Sequence, residues 1–515
     1  MARIILTCDL TLVSDFRRLP LGPFLSCAPA ERIPEFFFDW IAHPQRSDGG
    51  TATYAPYGLR KVEAALLRSY DQKDVIIAHP KSVERFIDED TRIVGISTMD
   101  PLGLGPVSTM FTMGGLFTAY SKKKFLELVG KVNKVRRSSP FKLVVGGPGV
   151  WQLLRRTDVV KNLKIDHIIQ GEIDHVAHEL FHRIEEEDLP PIIEIKDRPK
   201  PDEIPPIVRP SVQGLVEVMR GCGRNCEFCD VNLRSARYID LAKIRKEVGV
   251  NVEGGFDHIW VQSDDIFLYR LEDHKNFYPN RDAVLELFSS IMSTKGVAWS
   301  NPTHGTLAPI AADPLLIEKL SKLLRAGPER FVGIQPGIET GSSRLMARYM
   351  PSKVKPFSPE EWSDVVLEAT RILNENYWFP AYTLIVGLPG ETEDDAWETV
   401  RLIDRMEKEL PKRVGDKAHF TITPLGFVPV GTMTDENFFD FSRSIDEARF
   451  MVIYKSWRHS VLELERLPSR ILKFNPIFRS IFYQFLRLGA QTILWSIKRW
   501  GKQMGFDPER AESKL

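Results

Sequence analysis

A proline-rich stretch near residue 200 divides this chain into two parts. Between Pro190 and Pro210 there are seven prolines, in PPIIEIKDRPKPDEIPPIVRP, and no helical period. Because proline fixes φ and removes a hydrogen-bond donor, an extended strap is expected here. With 515 residues, the chain is also longer than one ordinary domain. We therefore predict a linker over 189–212, between separate domains.

Strands and helices alternate before this linker. Short β-branched runs occur at 74–80, 92–98, 142–147 and 166–172, with helical patterns at 58–70 and 121–137. Near-continuous apolar strands that alternate with helices predict a parallel, doubly wound α/β domain over 1–188. Ligands of such sheets bind beyond the carboxyl ends of the strands.

A second alternation follows the linker, over 213–435. Its predicted strands are 215–221, 258–265, 297–301, 331–339, 382–390 and 419–427. Six strand–helix units favour a partial (β/α)6 barrel over a complete eightfold one. After this domain the pattern is helical, which predicts a helical C-terminal region over 436–515.

Composition narrows the cellular setting and the partners. Lysine plus arginine equals aspartate plus glutamate at 69 each, so no overall charge directs the chain to nucleic acid. Five cysteines are too few for a disulfide framework in a chain of this size. The N-terminus reaches Asp9 before any long apolar run, so no signal peptide is predicted, and no segment has the length of a membrane span. We predict a reduced, cytoplasmic protein.

Three of the cysteines form one motif, RGCGRNCEFCD, just after a predicted strand. Cys222, Cys226 and Cys229 have the spacing Cys-x3-Cys-x2-Cys. A structural zinc site uses four ligands, yet the nearest histidine, His258, lies 29 residues beyond Cys229. Three cysteines around a [4Fe–4S] cluster would leave one iron open to a small molecule. The motif therefore predicts such a cluster.

This motif, with the aromatic Phe228 before its last cysteine, resembles the signature of the radical S-adenosylmethionine (SAM) superfamily. The resemblance implies that SAM chelates the open iron and that an external one-electron reductant drives its cleavage. The resulting 5′-deoxyadenosyl radical would abstract hydrogen from an unactivated carbon.

The same resemblance implies SAM contacts near the cluster and at the ends of the barrel strands. The implied residues are Phe228, Gln262, Asp264, Asp265, Ser300, Asn301, Glu339, Gly387 and Pro389. The segment QSDD (262–265) departs from the family's Gly-Gly-Glu-like turn. The alternative for IETGS (338–342) and GLPGET (387–392) is that they are only tight turns after buried strands.

A doubly wound domain before such a barrel resembles the cobalamin-binding class of the superfamily. The resemblance implies corrinoid contacts at Ser97, Thr98, Asp100, Leu102, Gly103, Gly146, Gly147, Gln170, Gly171 and Glu172. The Asp-x-His-x-x-Gly motif is absent from STMDPLGLGP (97–106), so this loop offers the cobalt no imidazole. The alternative is a domain that binds nothing and only packs on the barrel. Methylthiotransferases carry three further N-terminal cysteines, whereas Cys8 and Cys27 are only two, which argues against that class.

The C-terminal segment 474–502 is apolar and basic. Arginine and lysine interrupt it, and its longest uncharged run has ten residues, about half of a membrane span. It is predicted either to pack on the barrel as a buried helix or to lie on a membrane surface. Burial is the favoured interpretation.

Together these features predict a cobalamin-dependent radical SAM C-methyltransferase, with methylcobalamin as the methyl donor. The segments 53–67 and 97–106 resemble enzymes that methylate a glutamine of methyl-coenzyme M reductase, which makes that protein a candidate partner. One alternative is a radical SAM enzyme that joins or cyclises the chains of archaeal membrane lipids. The other is a non-catalytic iron–sulfur electron carrier, which the three-cysteine count disfavours. No acid, base or hydrogen donor is assigned.

Overall fold

The computed structural model describes residues 2–16, 22–43, 47–136, 138–466 and 476–512. The chain forms two compact units. Unit 1 contains Met1–Val216, Ile239–Trp260 and Thr294–Ala298, and unit 2 contains Glu217–Tyr238, Val261–Ser293 and Trp299–Leu515. Unit 1 therefore includes a segment from within the range 213–435 that the sequence assigns to the barrel.

Unit 1 is built on a six-stranded parallel sheet. Its strands are β1 (Ile4–Cys8), β4 (Val75–Ile77), β5 (Ile93–Ser97), β6 (Lys142–Gly146), β7 (His167–Gln170) and β8 (Ile192–Glu194), in the order β4-β1-β5-β6-β7-β8. A short antiparallel pair, β2 (Ser47–Asp48) and β3 (Thr51–Ala52), stands apart. Strand β1 was not predicted, and β8 lies within the stretch predicted as a linker.

Helices pack on both faces of this sheet. The helices of unit 1 are α1 (Leu10–Val13), α2 (Glu35–Ile41), α3 (Tyr57–Leu66), α4 (Pro106–Phe111), α5 (Tyr120–Val135), α6 (Val150–Leu154), α7 (Thr157–Asn162), α8 (Ala177–Glu186) and α9 (Leu241–Glu253), and α3 and α8 lie on one face of the sheet and α5 and α6 on the other. Alternate side chains of β1 point to different hydrophobic clusters, Ile4 and Leu6 to one and Ile5 to the other. The sheet therefore has a core on each face, as a doubly wound arrangement requires.

The strands of the second alternation form two further sheets. One has the order β13-β12-β9, from β9 (Leu215–Glu217), β12 (His258–Gln262) and β13 (Trp299–Pro302). In the other, β16 (Trp378–Val386) pairs in parallel with β14 (Val332–Ile334), β15 (Gly337–Glu339) and β17 (Thr421–Gly426). A bridge between His304 and Gln335 joins the ends of β13 and β14. A small antiparallel pair, β10 (Met219–Arg220) and β11 (Arg237–Tyr238), flanks the cysteine motif.

Several predicted strands differ from those observed. The run 215–221 is divided at Val218 into β9 and β10, which lie in separate sheets. The run 331–339 is broken at Gln335 and Pro336 into β14 and β15, with a register shift where β15 meets β16. The run 382–390 begins earlier, at Trp378, and its GLPG segment forms a turn instead of continuing the strand. Glycine at positive φ, as at Gly387 (86°), ends an extended strand.

Helices surround the strands of unit 2 and form its C-terminal part. They are α10 (Arg281–Met292), α11 (Ala308–Ala312), α12 (Pro314–Leu323), α13 (Ser343–Tyr349), α14 (Trp362–Glu375), α15 (Glu393–Val414), α16 (Glu447–Arg466), α17 (Pro476–Gln503) and α18 (Pro508–Glu512). In the described residues no helix is long and apolar enough to cross a bilayer. Residues 474 and 475, the first two of the predicted tail helix, lie outside the described part.

Candidate functional site

The cysteine motif forms one loop after β10. Cys226 is buried, and Cys222 and Cys229 are partly exposed. Positive φ angles recur at alternate residues of the loop, at Gly221 (78°), Gly223 (78°) and Asn225 (57°). Glycine is required at the first of these, since a Cβ on Gly221 would lie 2.5 Å from backbone oxygens of 234 and 235. The loop is therefore tightly folded by its own backbone.

Arg224, in the middle of this loop, anchors it to the barrel. Its Nε donates to Asp265 Oδ2 (3.2 Å), and the two side chains are 1% and 0% exposed. Its Nη1 donates to the carbonyl oxygen of Ser352 (2.8 Å). Asp265 also accepts from the hydroxyl of Thr306 (2.6 Å). The predicted SAM residue Asp265 thus holds the cysteine loop in place.

Asp264 contacts the same loop from the end of β12. Its Oδ2 accepts from the backbone N–H of Gly221 (2.6 Å). Burial raises the pKa of Asp264, although this hydrogen bond lowers it. His304, half-buried, interacts with Asp264, and burial lowers the pKa of its imidazole. Sequence reasoning missed His304 because no motif surrounds it.

Glu339, another predicted SAM residue, is held by a buried cation that the sequence did not reveal. Its Oε1 accepts from Lys353 Nζ at 2.5 Å, and both side chains are more than 90% buried. The φ angle of Glu339 is 65°, a left-handed conformation that costs a side-chain-bearing residue about 1–3 kcal/mol. Such strain commonly marks functional sites.

The structure gives the other predicted barrel residues less direct roles. The Asn301 side chain accepts from Gly333 N–H (2.9 Å) and donates to its carbonyl oxygen (2.6 Å), which ties β13 to β14. Ser300 is buried beside it, Phe228 is half-buried on the cysteine loop, and the Gln262 carbonyl oxygen accepts from Val218 N–H (2.9 Å). Asn301 therefore ties two strands together, and contact with SAM at these positions stays a prediction.

Gly387 and Pro389 line a cavity of about 400 Å³ with Phe439, Asp440 and Arg449, among others. A Cβ on Gly387 would lie 2.0 Å from the Phe439 ring, so close packing accounts for this glycine. Below the cavity, Glu391 accepts from Gly387 N–H (2.9 Å), and burial raises the pKa of its carboxyl to about 7 despite the neighbouring Arg449.

The cysteine loop fits a [4Fe–4S] cluster on two observations. Cys222 and Cys226 interact electrostatically, since the pKa of Cys222 is raised first by burial and further by Asp265 and Cys226. The buried Arg224 Nη2 donor has no hydrogen-bond partner in the described residues and is available to an acceptor. A cuboidal cluster takes one thiolate at each of three irons.

The residues predicted to bind a corrinoid lie at the carboxyl ends of β5, β6 and β7 in unit 1. Asp100 organises the 97–106 loop, accepting from Gly105 N–H (2.9 Å), Gln152 Nε2 (2.7 Å) and the hydroxyls of Ser108 and Ser121. Gln152 Oε1 in turn accepts from Leu102 N–H (2.9 Å). The loop is thus preorganised.

Two glycines at these strand ends are required by close backbone contacts. A Cβ on Gly147 (φ 101°) would lie 2.6 Å from the Thr98 carbonyl oxygen, and one on Gly171 (φ 119°) would lie 2.2 Å from that of Ile195. The buried Thr98 hydroxyl has no hydrogen-bond partner within the described part of the chain. The other predicted positions here are Ser97, Gly103, Gly146, Gln170 and Glu172, of which Gln170 is exposed and Glu172 half-buried.

The order β4-β1-β5 places a topological switch point between β1 and β5, where sheets of this kind bind ligands. Asp9 follows β1, and burial raises the pKa of its carboxyl to about 6. Burial and Asp100 raise the pKa of Cys27 to about 11, which keeps the thiol protonated. Sequence reasoning did not select Asp9, which only the strand order brings to this crevice.

Residues 216–403 match the family model described as the Radical SAM superfamily, so the chain carries a radical SAM domain. Among curated proteins it is similar to tRNA-2-methylthio-N(6)-dimethylallyladenosine synthases. The enzyme of Chromohalobacter salexigens is 26% identical over 239 residues, which are 46% of this chain and 48% of that protein. The enzyme of Bordetella avium is 23% identical over 294 residues, which are 55% of this chain and 57% of that protein. The chain thus spans about half the length of the curated relatives it matches.

Two solved structures share the fold. Both are of the radical SAM methyltransferase TsrM from Kitasatospora setae, one with tryptophan and a SAM analogue and the other with cobalamin and a [4Fe–4S] cluster. The TM-scores are 0.54 and 0.53, at 12% and 13% sequence identity. Each alignment covers 84% of this chain, and the two cover 75% and 74% of the respective TsrM chains. The predicted α/β radical SAM domain is confirmed, whereas the corrinoid-binding type of the N-terminal domain stays a prediction.

Proposed function

We propose that this protein is a radical SAM enzyme that transfers a methyl group to an unactivated carbon with cobalamin as the methyl carrier. The observation that carries the proposal is the three-cysteine loop, clamped by Arg224 onto Asp265 within a radical SAM domain. The fold shared with a cobalamin-binding methyltransferase supports the methyl-transfer part.

Residues of unit 2 would bind the cluster and SAM. Cys222, Cys226 and Cys229 would hold the cluster, which supplies the electron that cleaves bound SAM. Asp264 presents a half-buried carboxylate and Glu339 a buried one, and both can accept hydrogen bonds from the SAM amine or ribose.

The corrinoid would bind in unit 1. Support comes from the switch point between β1 and β5 and from the loop 97–106, which Asp100 and Gln152 hold in one conformation. Because this loop has no histidine, the chain would offer the cobalt no imidazole there. Of the large apolar side chains of this loop, Met99 is the exposed one.

Anaerobic reconstitution of the full chain with iron and sulfide tests the cluster part. We expect about four irons per chain, the content of a [4Fe–4S] cluster, and 5′-deoxyadenosine after addition of dithionite and SAM. Replacing Cys226 with alanine should remove most of the iron, whereas Cys27→Ala, a matched thiol loss in unit 1, should retain it. Equal iron in both variants would contradict the assignment.

Reconstitution with methylcobalamin tests the methyl-transfer part of the proposal separately from the radical part. Corrinoid absorbance that stays with the protein through gel filtration is expected. Deoxyadenosine without retained corrinoid would remove the methyl-transfer part and leave the radical part standing. We propose a glutamine of methyl-coenzyme M reductase as the acceptor, to be tested by a one-methyl mass increase of the corresponding peptide.

The exposed face of α17 favours a second candidate, an enzyme that acts on membrane lipids. One side of the helix packs on α16, where a Cβ on Gly501 would lie 2.2 Å from the Phe450 ring. On the opposite side Leu488 is 65% and Trp495 58% exposed. The helix has basic but no acidic residues, which is typical of helices that lie on anionic bilayers. The favoured prediction, that this helix is buried, therefore applies to one side of α17.

Co-sedimentation with vesicles distinguishes the two candidates. The lipid candidate predicts binding to phosphatidylglycerol vesicles and weak binding to phosphatidylcholine vesicles. The double variant Leu488→Ser and Trp495→Ser should lose this binding, because each side chain contributes apolar area to the interface. Replacing exposed Gln491 with serine is the matched control. A wild-type chain that stays in the supernatant would remove this candidate.

A further inference from the structure

We propose that Lys353 sets the reduction potential of the cluster bound by Cys222, Cys226 and Cys229, as a buried cation that Glu339 partly balances. The inference rests on the cluster part of the proposed function and is independent of methyl transfer and of the acceptor. No sequence motif marks Lys353.

Lys353 lies against the cysteine loop. Arg224, which is two residues from both Cys222 and Cys226, donates from Nη1 to the carbonyl oxygens of Ser352 (2.8 Å) and Lys353 (3.3 Å). On the other side of Cys226, the N–H of Glu227 donates to the carbonyl oxygen of Tyr349 (3.0 Å). The segment 349–353 is thus hydrogen-bonded to the loop on both sides of Cys226.

The Lys353 ammonium is buried yet charged. Lys353 is 6% exposed, and its Nζ donates to Glu339 Oε1. Burial alone would lower its pKa, but attraction to Glu339, Cys226 and Cys229 outweighs burial and raises it. The ion pair therefore places a buried positive charge in the segment 349–353, which is hydrogen-bonded to the loop on both sides of Cys226.

Glu339 holds this cation in a fixed place. A Cβ on Gly337 would lie 1.8 Å from Glu339 Oε1 and 2.9 Å from Lys353 Nζ, so the glycine makes room for the pair. The left-handed backbone of Glu339 is a second constraint. Lys353 and Glu339 therefore form a buried pair of opposite charges in fixed positions.

Opposite charges near a cluster shift its potential in opposite directions. Reduction adds one negative charge to a centre that already carries three thiolates, so a buried cation stabilises the reduced form and a buried carboxylate destabilises it. Net charge and hydrogen bonding around such clusters are known determinants of their potentials. Lys353 should raise the potential, and Glu339 should lower it.

The test is a potentiometric titration, followed by electron paramagnetic resonance, of the reconstituted full chain without SAM. Lys353→Met should make reduction at least about tenfold less favourable, a shift of about 59 mV to more negative potential for a one-electron couple. Glu339→Gln should shift it to more positive potential, and the double variant should return towards wild type. Lys353→Arg, which keeps the charge, should stay near wild type.

The signs separate electrostatics from structural damage. An unchanged potential in Lys353→Met, or a shift in the same direction in both single variants, would overturn the inference. If Lys353→Met fails to retain iron, the reduction potential of Glu339→Gln decides the test. Only a shift of that potential to a more positive value supports the inference. A wild-type chain that takes up no cluster would instead defeat the proposed function itself.

Discussion

Burial of single titratable residues makes this protein sensitive to pH at defined positions. His79 follows β4, its Nδ1 accepts from Lys81 N–H (3.2 Å), and burial lowers the pKa of its imidazole to about 4. Its Nε2 is buried and has no hydrogen-bond partner in the described residues. Glu391 is the opposite case, because burial raises the pKa of its carboxyl to about 7. The two residues therefore affect stability with opposite signs as the pH falls.

We predict that His79 destabilises the protein in mild acid. Below pH 6.5 the unfolded chain binds a proton at His79 that the folded chain binds only near pH 4, so stability falls over this window. The loss amounts to about 2 kcal/mol between pH 7 and pH 5. His79→Gln, unfolded in urea at both pH values, should lose less stability than wild type. An equal loss in both proteins would refute this role, since other groups cancel in the comparison.

At the scale of elements, the cysteine loop depends on a segment more than two hundred residues away. After β17 the chain turns at Gly431 (φ 69°), where Thr432 N–H donates to the Glu227 carbonyl oxygen (2.9 Å). A Cβ on Gly431 would lie 2.3 Å from that oxygen and 2.9 Å from Cys229 N. The turn after the last barrel strand therefore supports the loop directly.

Gly431→Ala should reduce the iron content of the reconstituted protein, because the new methyl group displaces the backbone at Glu227 and Cys229. Gly415→Ala is the matched control: its φ is also positive (58°), but a Cβ there meets nothing within 4 Å. Both variants place alanine at a positive φ, which destabilises each by about 1–3 kcal/mol and lowers its melting temperature. Iron loss in the first variant alone is expected, and equal iron contents would contradict the contact.

At the scale of the whole molecule, the compact units do not follow the order of the sequence. Helix α9 lies in the range predicted for the barrel, yet it belongs to unit 1. Its Glu247 forms a buried ion pair with Lys61 and accepts from the Tyr57 hydroxyl (2.6 Å) and from Ile207 N–H (3.1 Å). One carboxylate thus joins α3, the proline-rich stretch and α9.

Glu247→Met should destabilise the protein by about 3–5 kcal/mol, because it leaves the Lys61 ammonium buried without its counter-charge. The exposed Glu253, on the same helix, is the control, and its methionine variant should change stability by less than about 0.5 kcal/mol. Urea midpoints of the two variants give the comparison. A Glu247 effect as small as that of Glu253 would show that α9 does not hold unit 1 together.

Features encoded locally could be predicted from the sequence. Strand–helix alternation, the proline-rich stretch and the Cys-x3-Cys-x2-Cys spacing involve residues close together in the chain, so periodicity and spacing identified the α/β class and the proposed cluster ligands. By contrast, Lys353, His304 and Asp9 reach their sites only through tertiary contacts, and no local pattern marks them. The Arg224 clamp spans 128 residues. Tertiary structure also decided that Asp265 and Asn301 are held in internal hydrogen bonds, since a buried polar group must find partners wherever the fold brings them.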